Sequence, residues 1–376
     1  MADLVCPPIK KPIVGVFIKP SHLGHFYTHN TNTRLEAIIN ACRKTQITLY
    51  YFSLNDVDLK RKSISGTYYN ETTSLWEKGK FPYPHVLYAR GGSIKQRQKY
   101  DIFHQQLEAL GVKRINSGPV FNKWDVLKIL GENSTLMPHL PFTIVYATAA
   151  DLMQMLSKYG EVYLKACRGR KGMQVIRVKK IGTDSFEYRY YRKNKLNKGL
   201  INFSDLILLI EKFYYQRPFL IQQAINLPRL HGSIYDMRAE MQRNGEGELE
   251  IVEILVRVSQ PGLPITIHAS SFLFDDFFAK GIVLPREQIN TIRNAANVFL
   301  NNVYLTIEKA YGPYGEIGID FAIDQAGHLW FIECNSRSTK VSLFNAAGKE
   351  KKERSYLNPF SYAKFLYNQA IKQLDT

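Results

Sequence analysis

The sequence predicts an α/β fold in the N-terminal part of the chain and an α+β fold in the C-terminal half. In the first part, apolar strand patterns alternate with amphipathic helix patterns, which is typical of a small parallel sheet covered by helices. In the second part, long strand patterns follow one another through tight turns, which favours antiparallel sheet with helices. Together with the length of 376 residues, this change of pattern predicts three domains, at 1–118, 119–218 and 219–376.

The first of these domains is predicted from its alternation of strands and helices. A helix opens near Thr33, because Leu35, Ile38, Ile39 and Cys42 recur at the spacing of one buried helix face. The other predicted elements are strands at 13–18, 47–53 and 86–90, a hairpin or long excursion at 64–81, and a helix at 97–111.

The remainder of the chain is richer in strands. The dipeptide Asn244–Gly245 is a strong hairpin signal between two long strand patterns. The predicted strands are 142–147, 161–167, 173–180, 185–192, 219–225, 236–243, 248–259, 316–323 and 328–335. The predicted helices are 122–130, a helix capped by Thr148, a helix at 204–215, and 286–311.

The composition is that of a folded protein inside the cell. Hydrophobic residues make up 45% of the chain, which argues against disorder. The longest aliphatic run, 206–210, is too short to cross a bilayer, and the first residues lack the apolar core of a signal peptide. The cysteines are scattered without a CxxC pair, so we expect reduced, mostly structural thiols at Cys6, Cys42, Cys167 and Cys334.

The net charge of +17 leaves several kinds of partner open. Such an excess is compatible with nucleic acid, an anionic surface or acidic substrates, and charge alone does not choose among them. Part of the excess is local, because twelve basic residues and only two acids lie between Lys165 and Lys198.

Two carboxylates and an amide occur among apolar residues near the C-terminal end of the strand-rich part. Glu333 and Asn335 are two apart and therefore lie on the same side of a strand, and a turn near 324–327 brings Asp320 opposite them. Hard oxygen donors in this arrangement suit Mg²⁺, which commonly combines one or two carboxylates with substrate phosphates. A hairpin whose polar residues simply face solvent fits the pattern equally well.

A lysine at the end of a predicted strand precedes a short basic, glycine-containing turn. Lys165 could place its ammonium group on phosphate oxygens, while N–H groups of the turn 168–172 cover the same phosphates. The chain has neither a GxxxxGK[ST] nor a GxGxxG motif. An exposed basic hairpin turn is the alternative interpretation.

Two further features have both a functional and a structural interpretation. The apolar strand 219–227 can form an inter-domain hinge whose main chain pairs with a purine edge, or it can be an ordinary core strand. Arg238 and Arg257 lie on predicted adjacent strands and could clamp a transferring phosphoryl group. Paired surface arginines are the alternative.

The order of these features resembles the ATP-grasp superfamily over about residues 120–345. Lys123 before a short helix, Lys165 and its glycine turn, the hinge strand, the two arginines and the D-x13-E-x-N pattern follow one another in the family's order. The segment before them resembles that superfamily's N-terminal α/β domain. More closely, the whole chain resembles the YheC/YheD group of spore-coat-associated ATP-grasp proteins, through the start GVFIKPSHLGHFYTHNTNTRLEAI and the PHVLYARGG and FNKW segments.

The resemblance implies a pre-ATP-grasp domain at 1–118, a small lid subdomain at 119–218 and a C-terminal subdomain with a metal site at 219–376. It implies an ATP-dependent carboxylate–amine ligase that forms an acyl phosphate, requires Mg²⁺ or Mn²⁺, and acts on a carboxylate that the resemblance does not identify. The basic excess of the chain favours an anionic acceptor. The implied residues are Lys123 and Lys165 for the phosphates, the loop Gly169, Arg170, Lys171 and Gly172 over them, Gln222, Gln223, Ala224 and Ile225 for adenine, Asp320, Glu333 and Asn335 for metal, and Arg238 and Arg257 for the γ-phosphate or acceptor.

The chain departs from the family pattern at three places. Gly318 stands where peptide-forming members often have an arginine, the stretch 264–278 lacks an expected Asn and paired glycines, and no ribose-binding acid is evident beside Pro228 and Arg229. Two other functions therefore stay open: a non-catalytic or regulatory ATP-binding protein of the spore coat, and a nucleic-acid-binding protein. The second has no recognised motif in the chain.

Overall fold

The computed structural model describes residues 10–27, 33–91, 96–169, 174–192, 195–266 and 269–373. Within these ranges the chain forms three β-sheets with helices packed on them. The mixed α/β class predicted from the sequence is confirmed.

The N-terminal sheet is mixed, with the strand order β3-β4-β2-β1-β6-β7 and β5 paired to β4. The strands β2, β1, β6 and β7 are parallel to one another, whereas β4 pairs antiparallel with β2, β3 and β5. Its strands are β1 Ile13–Phe17, β2 Thr48–Phe52, β3 Val57–Asp58, β4 Ser63–Asn70, β5 Leu75–Pro82, β6 Val86–Ala89 and β7 Lys113–Arg114. Its helices are α1 Pro20–Leu23, α2 Thr33–Thr45 and α3 Arg97–Ala109, with 3-10 turns at Gly24–Phe26 and Leu54–Asp56. The excursion predicted at 64–81 is an antiparallel hairpin of β4 and β5.

The middle sheet is antiparallel throughout, in the order β12-β11-β10-β9-β13-β8. Its elements are α4 Lys123–Gly131, β8 Thr143–Val145, α5 Ala149–Tyr159, β9 Glu161–Ala166, β10 Val175–Gly182, β11 Ser185–Arg192, β12 Lys195–Ile201, α6 Phe203–Tyr214 and β13 Phe219–Gln223, with a 3-10 turn at Met137–His139. Val162 and Leu164 bury one face of β9 against α5 and α6. Because side chains alternate along a strand, Tyr163 and Lys165 lie on the opposite face.

The C-terminal sheet has the antiparallel order β17-β16-β15-β18-β19, with β14 paired to β15. Its elements are β14 Arg229–Leu230, β15 Ser233–Arg243, β16 Leu249–Val258, β17 Ser270–Leu273, α7 Phe274–Asp276, the π-helix Phe277–Gly281, α8 Arg286–Tyr311, β18 Glu316–Ile323, β19 Leu329–Asn335, α9 Val341–Ala346 and α10 Lys349–Lys372. One face of this sheet packs on α8 through residues such as Met237, Ile319 and Phe321. Its other face contains a row of polar side chains.

The last helix, α10, returns to the N-terminal sheet. Phe360, Tyr362 and Ala363 lie in the same apolar core as Val14 and Val86. The C-terminal and N-terminal sheets are therefore joined by packing as well as by the chain. Among the helices that the structure describes, none combines the length and apolar composition of a membrane-spanning segment.

Candidate active site

The candidate metal-binding residues lie on the hairpin of β18 and β19. Asp320 is the direct cross-strand neighbour of Glu333, and Gly318 is the neighbour of Asn335. The hairpin turn is closed by Gly327, whose φ of +83° favours glycine. The two carboxylates and the amide consequently share one face, as the sequence alternation predicts. Asn335 Nδ2 lies 3.5 Å from Glu333 Oε1.

Both candidate catalytic arginines approach Asp320. Arg238 is its cross-strand neighbour on β15, and its Nε lies 2.6 Å from Asp320 Oδ1. Arg257 Nη2 lies 3.2 Å from Asp320 Oδ2. Burial raises the pKa of Asp320, the two arginines lower it, Glu333 raises it again, and the net direction is upward. The carboxylate is thus only partly compensated by its cationic neighbours.

Arg257 has a second and closer partner. Its Nε and Nη2 donate to the two oxygens of Asp236 at 2.6 and 2.7 Å, and Thr266 donates to the same carboxylate at 2.6 Å. Asp236 thereby fixes the guanidinium that faces Asp320. Sequence reasoning did not select Asp236, although its spacing of two residues from Arg238 places both on one face of β15.

Gly318 provides the space that the Arg238 side chain occupies. A Cβ at this position would overlap Arg238 Nη1 and would lie 3.2 Å from Ser338 Cβ. The guanidinium of Arg238 therefore lies over Gly318 and beside the chain that follows β19. Within the described residues Arg238 Nη1 is buried without a hydrogen-bond acceptor.

Lys123 connects Glu333 of the C-terminal sheet to the middle sheet. It begins α4, whose N-terminus is capped by Asn122, and its N–H donates to Cys167 O at 3.0 Å, just beyond β9. Its ammonium group forms an ion pair with Glu333. Burial alone would raise the pKa of Glu333, but Lys123 lowers it and the net direction is downward. Glu333 is accordingly held ionised.

Lys165 faces a neutral partner. Its Nζ donates to Gln222 Oε1 at 2.6 Å, and Gln222 Nε2 donates to Thr143 Oγ1 at 2.9 Å. Burial and, secondarily, the like charge of Lys123 lower the pKa of Lys165 to about 8. Gln222 is only 3% exposed, and its side chain orients the lysine. The sequence did not predict this contact, because it depends on the pairing of β9 with β13.

The predicted hinge, Gln222 to Ile225, comprises the last two residues of β13 and the two residues that follow it. Gln223 N–H donates to Phe142 O at 2.9 Å, and Ala224 N–H donates to Glu161 O at 3.1 Å. The Ile225 carbonyl accepts from Leu227 N–H at 2.8 Å. In the described part of the chain, Ile225 N–H has no acceptor, which leaves one main-chain donor at the edge of the sheet for a ligand.

The predicted phosphate loop joins two neighbouring antiparallel strands, since Lys165 on β9 is opposite Val175 on β10. Gly169 lies at the start of this loop. Arg170, Lys171 and Gly172 lie outside the described residues.

The donor set suits a hard divalent cation bound together with phosphate. Asp320 Oδ1 is buried and, within the described ranges, receives no well-directed hydrogen bond, although the Arg238 charge lies close to it. No group of three or more His, Cys, Asp or Glu side chains that could together hold a metal ion occurs in the ranges described. Asp320, Glu333 and Asn335, predicted from the sequence as metal ligands, could offer two carboxylates and one amide oxygen, a combination of the kind in which Mg²⁺ is usually held beside phosphates.

The profile of the YheC/D-like ATP-grasp domain matches residues 111–366, which is more than half of the chain. The chain belongs to the YheC/D-like ATP-grasp family. The endospore coat-associated protein YheD of Bacillus subtilis (strain 168) is 26% identical over 327 residues, which cover 86% of this chain and 71% of YheD. The endospore coat-associated protein YheC of the same organism is 24% identical over 324 residues, covering 85% of this chain and 88% of YheC.

A solved structure shares the architecture of this family member. The D-alanyl-alanine synthetase A of Vibrio cholerae O1 biovar eltor superimposes with a TM-score of 0.52 at 13% identity, covering 96% of this chain and 98% of the synthetase. At this identity the likeness establishes the fold. The ATP-grasp fold implied by the order of sequence motifs is thus confirmed.

Proposed function

We propose that this protein is an ATP- and Mg²⁺-dependent carboxylate–amine ligase. The observation that supports it most strongly is the convergence of lysines, arginines and carboxylates from α4, the middle sheet and the C-terminal sheet. The Lys123 ammonium forms an ion pair with Glu333. Arg238 and Arg257 both form ion pairs with Asp320. Lys165 is close enough to Lys123, Glu333 and Asp320 for their charges to act on it. Phosphoryl transfer requires mainly positioning and charge neutralisation, and this constellation supplies both.

Asp320, Glu333 and Asn335 are the residues we propose as metal ligands. Mg²⁺ held by these residues would supply neutralisation of the phosphate charge. Lys123 would exchange its ion pair with Glu333 for phosphate oxygens. Lys165, oriented by Gln222, would reach the phosphates from the opposite sheet, and the main-chain donor at Ile225 would meet the adenine edge.

The proposed reaction needs no nucleophile from the protein. A carboxylate oxygen of the acceptor attacks the γ-phosphorus of ATP, the bond to the β-phosphate bridging oxygen breaks, and ADP leaves. An amine then attacks the acyl carbon, the carbon–oxygen bond to phosphate breaks, and the amine loses a proton. Arg238 and Arg257, held over Asp320, would stabilise the charge on the transferring group. The loop at 168–172 would exclude water from the acyl phosphate.

The two curated relatives are described as endospore coat-associated, and we propose the same cellular setting for this chain. A fluorescent fusion expressed during sporulation tests this assignment. Even distribution through the cell at every stage, without enrichment at the forespore, would contradict it.

An acceptor screen tests the proposed activity. The protein is incubated with ATP, Mg²⁺ and a panel of carboxylates and amines, and ADP and product mass are measured. We expect acceptor-dependent ADP release that Glu333→Gln abolishes. Glu71→Gln is the matched control, because Glu71 is exposed and pairs with Arg43 at the surface. Tight binding of ATP and Mg²⁺ without ADP from any acceptor would favour the non-catalytic alternative.

A further inference from the structure

The turn that follows β19 is fixed on both sides by residues of the N-terminal segment. Asn116 Nδ2 donates to Ser336 O at 2.5 Å, and the Arg90 guanidinium donates to Ser338 O. Ser338 Oγ also donates to Glu240 at 2.7 Å. The residue between these two anchors is Arg337, so its backbone position is fixed although its side chain remains partly exposed.

Arg337 differs from the two other cations near this turn, Arg90 and Lys340, because it lacks a partner among the described residues. Arg90 and Lys340 both form ion pairs with Glu316. Arg337 has no hydrogen bond or ion pair within the described ranges, and the groups acting on it electrostatically are Tyr100 and Arg90. A partly desolvated guanidinium without an acceptor is costly unless a ligand supplies one.

A second N–H donor without a hydrogen-bond acceptor among the described residues lies beside the same turn. Arg238 Nη1 is buried and has no acceptor in the described part of the chain. A Cβ on Gly318 would contact both this nitrogen and Ser338 Cβ, so the Arg238 guanidinium and the turn 336–338 border the same space. Asn335, opposite Gly318, connects that space to the proposed metal ligands.

The location is also one where ligands are expected on topological grounds. Arg90 directly follows β6 and donates to Ser338 O, so the turn that contains Arg337 lies at the carboxyl end of β6, in the parallel part of the N-terminal sheet. Ligands of open parallel sheets bind at that edge. A group held by Arg337 would thus lie between this sheet and the residues proposed to transfer phosphate.

We propose that Arg337 is a specificity-determining residue that binds a carboxylate of an acidic acceptor. The inference rests on the proposed ligase function for the identity of the acceptor, but the anion site is defined by its own residues. Guanidinium groups bind carboxylates through two parallel hydrogen bonds, which neutral amides do not reproduce.

Equilibrium binding tests this assignment independently of turnover. The full chain, with ADP and Mg²⁺ present, is titrated calorimetrically with L-glutamate and triglutamate, and with their neutral counterparts L-glutamine and triglutamine. We expect at least one acidic probe to bind about tenfold more tightly than its counterpart, a difference typical of one charge-assisted contact. Arg337→Gln should remove this preference, and Arg337→Lys should retain part of it.

Arg354→Gln is the matched control, because it removes the same charge from an exposed arginine of α10, which pairs with Glu250 on β16. The control should keep the full preference, and retained melting temperature and ADP affinity in Arg337→Gln would show that it folds. Equal binding of acidic and neutral probes by the unaltered protein overturns the proposal, as does an unchanged preference in Arg337→Gln. Competition by inorganic phosphate as effective as that by glutamate would overturn the carboxylate assignment. Failure of the ligase proposal would appear instead as acidic-probe binding without ADP release in any acceptor screen.

Discussion

Glu316 and Asp320 lie on the same face of β18, one on each side of Gly318, yet their charges are balanced differently. Glu316 is 1% exposed and Asp320 is 3% exposed, and each carboxylate meets two cationic side chains. Arg90 and Lys340 lower the pKa of Glu316 despite its burial. At Asp320 burial outweighs Arg238 and Arg257, so the pKa is raised.

The difference follows from what else each cation contacts. Both oxygens of Glu316 are engaged, one by Arg90 and the other by Lys340 and by Gln242 at 3.3 Å. Arg257 instead gives its closest contacts to Asp236. The Glu316 cluster therefore joins the N-terminal sheet to the C-terminal one, whereas Asp320 retains oxygen that a ligand cation can use. One strand thus contains a stabilising carboxylate and a proposed functional one.

The largest effect on activity is expected for Asp320→Asn. ADP formation should fall by about 10³-fold, equivalent to about 4 kcal/mol, because a proposed metal ligand and the partner of Arg238 are lost. The raised pKa means that the folded protein disfavours the charged form, so the neutral amide should change the free energy of unfolding by less than about 1 kcal/mol. Steady-state ADP release and urea unfolding measure the two quantities. Undiminished turnover would remove Asp320 from the site.

Glu316→Gln should reduce stability strongly and leave ATP binding unaffected, the opposite of what we expect for Asp320→Asn. The lowered pKa of Glu316 shows that the folded state favours the carboxylate, and the substitution removes the counter-charge with which the buried Arg90 and Lys340 form ion pairs. We expect the free energy of unfolding to fall by about 3–5 kcal/mol, while ATP affinity of the remaining folded protein stays unchanged. Urea unfolding measures the loss. The double variant Glu316→Gln/Lys340→Met should recover part of it, and equal stability of the single variant and the unaltered protein would contradict the comparison.

These two clusters also mark what the sequence could and could not predict. The Asp320, Glu333 and Asn335 group was predictable because strand alternation and one turn place residues close in sequence on one face. The Glu316 cluster was not, since Arg90 is remote in sequence and neither periodicity nor spacing links it to β18. The helix α10 was missed for a related reason: Pro359 lies inside it, and its apolar residues pack on the distant N-terminal sheet.

Side-chain partners were the least predictable feature of the candidate site. The sequence selected Lys165 and Gln222 for different parts of the nucleotide, whereas the pairing of β9 with β13 brings them within hydrogen-bond distance. The sequence comparison with the family also indicated that Gly318 replaces an arginine that peptide-forming members often have. In the folded protein that glycine gives space to Arg238, which arrives from the neighbouring strand. Such cross-strand compensation depends on register, which single-sequence patterns do not specify.

Gly318→Ala tests whether Arg238 needs the space above Gly318. Gly318 lies between Glu316 and Asp320 on β18, and the substitution should affect the Asp320 cluster, which contains Arg238. The added methyl group should displace the Arg238 guanidinium from Asp320 and lower ADP formation by about 10–100-fold, since small displacements at a reacting centre are costly. Gly348→Ala is the control, because a Cβ there meets no atom within 4 Å. ADP assays with both variants provide the measurement. Equal activity of Gly318→Ala and the control would exclude a role for this packing.

The smallest effect we predict comes from comparing the two buried lysines, Lys165 and Lys340. Burial lowers the pKa of both, but Lys340 faces the carboxylate of Glu316, whereas Lys165 faces the neutral Gln222 amide. With a pKa of about 8, Lys165 in the unliganded protein loses its charge as the pH rises above that value, and bound phosphate would raise the pKa again. ATP affinity should therefore be constant near neutrality and about tenfold weaker at pH 9.

Lys165→Arg provides the matched variant for this pH dependence, since a guanidinium stays charged throughout the range. Its ATP affinity, measured by anisotropy of a fluorescent ATP analogue with Mg²⁺ between pH 7 and pH 9, should be nearly independent of pH. Lys340→Arg should retain the decline of the unaltered protein, because Lys340 belongs to the Glu316 cluster. A flat profile in the unaltered protein, or the same decline in Lys165→Arg, would mean that Lys165 does not bind the phosphates through its charge.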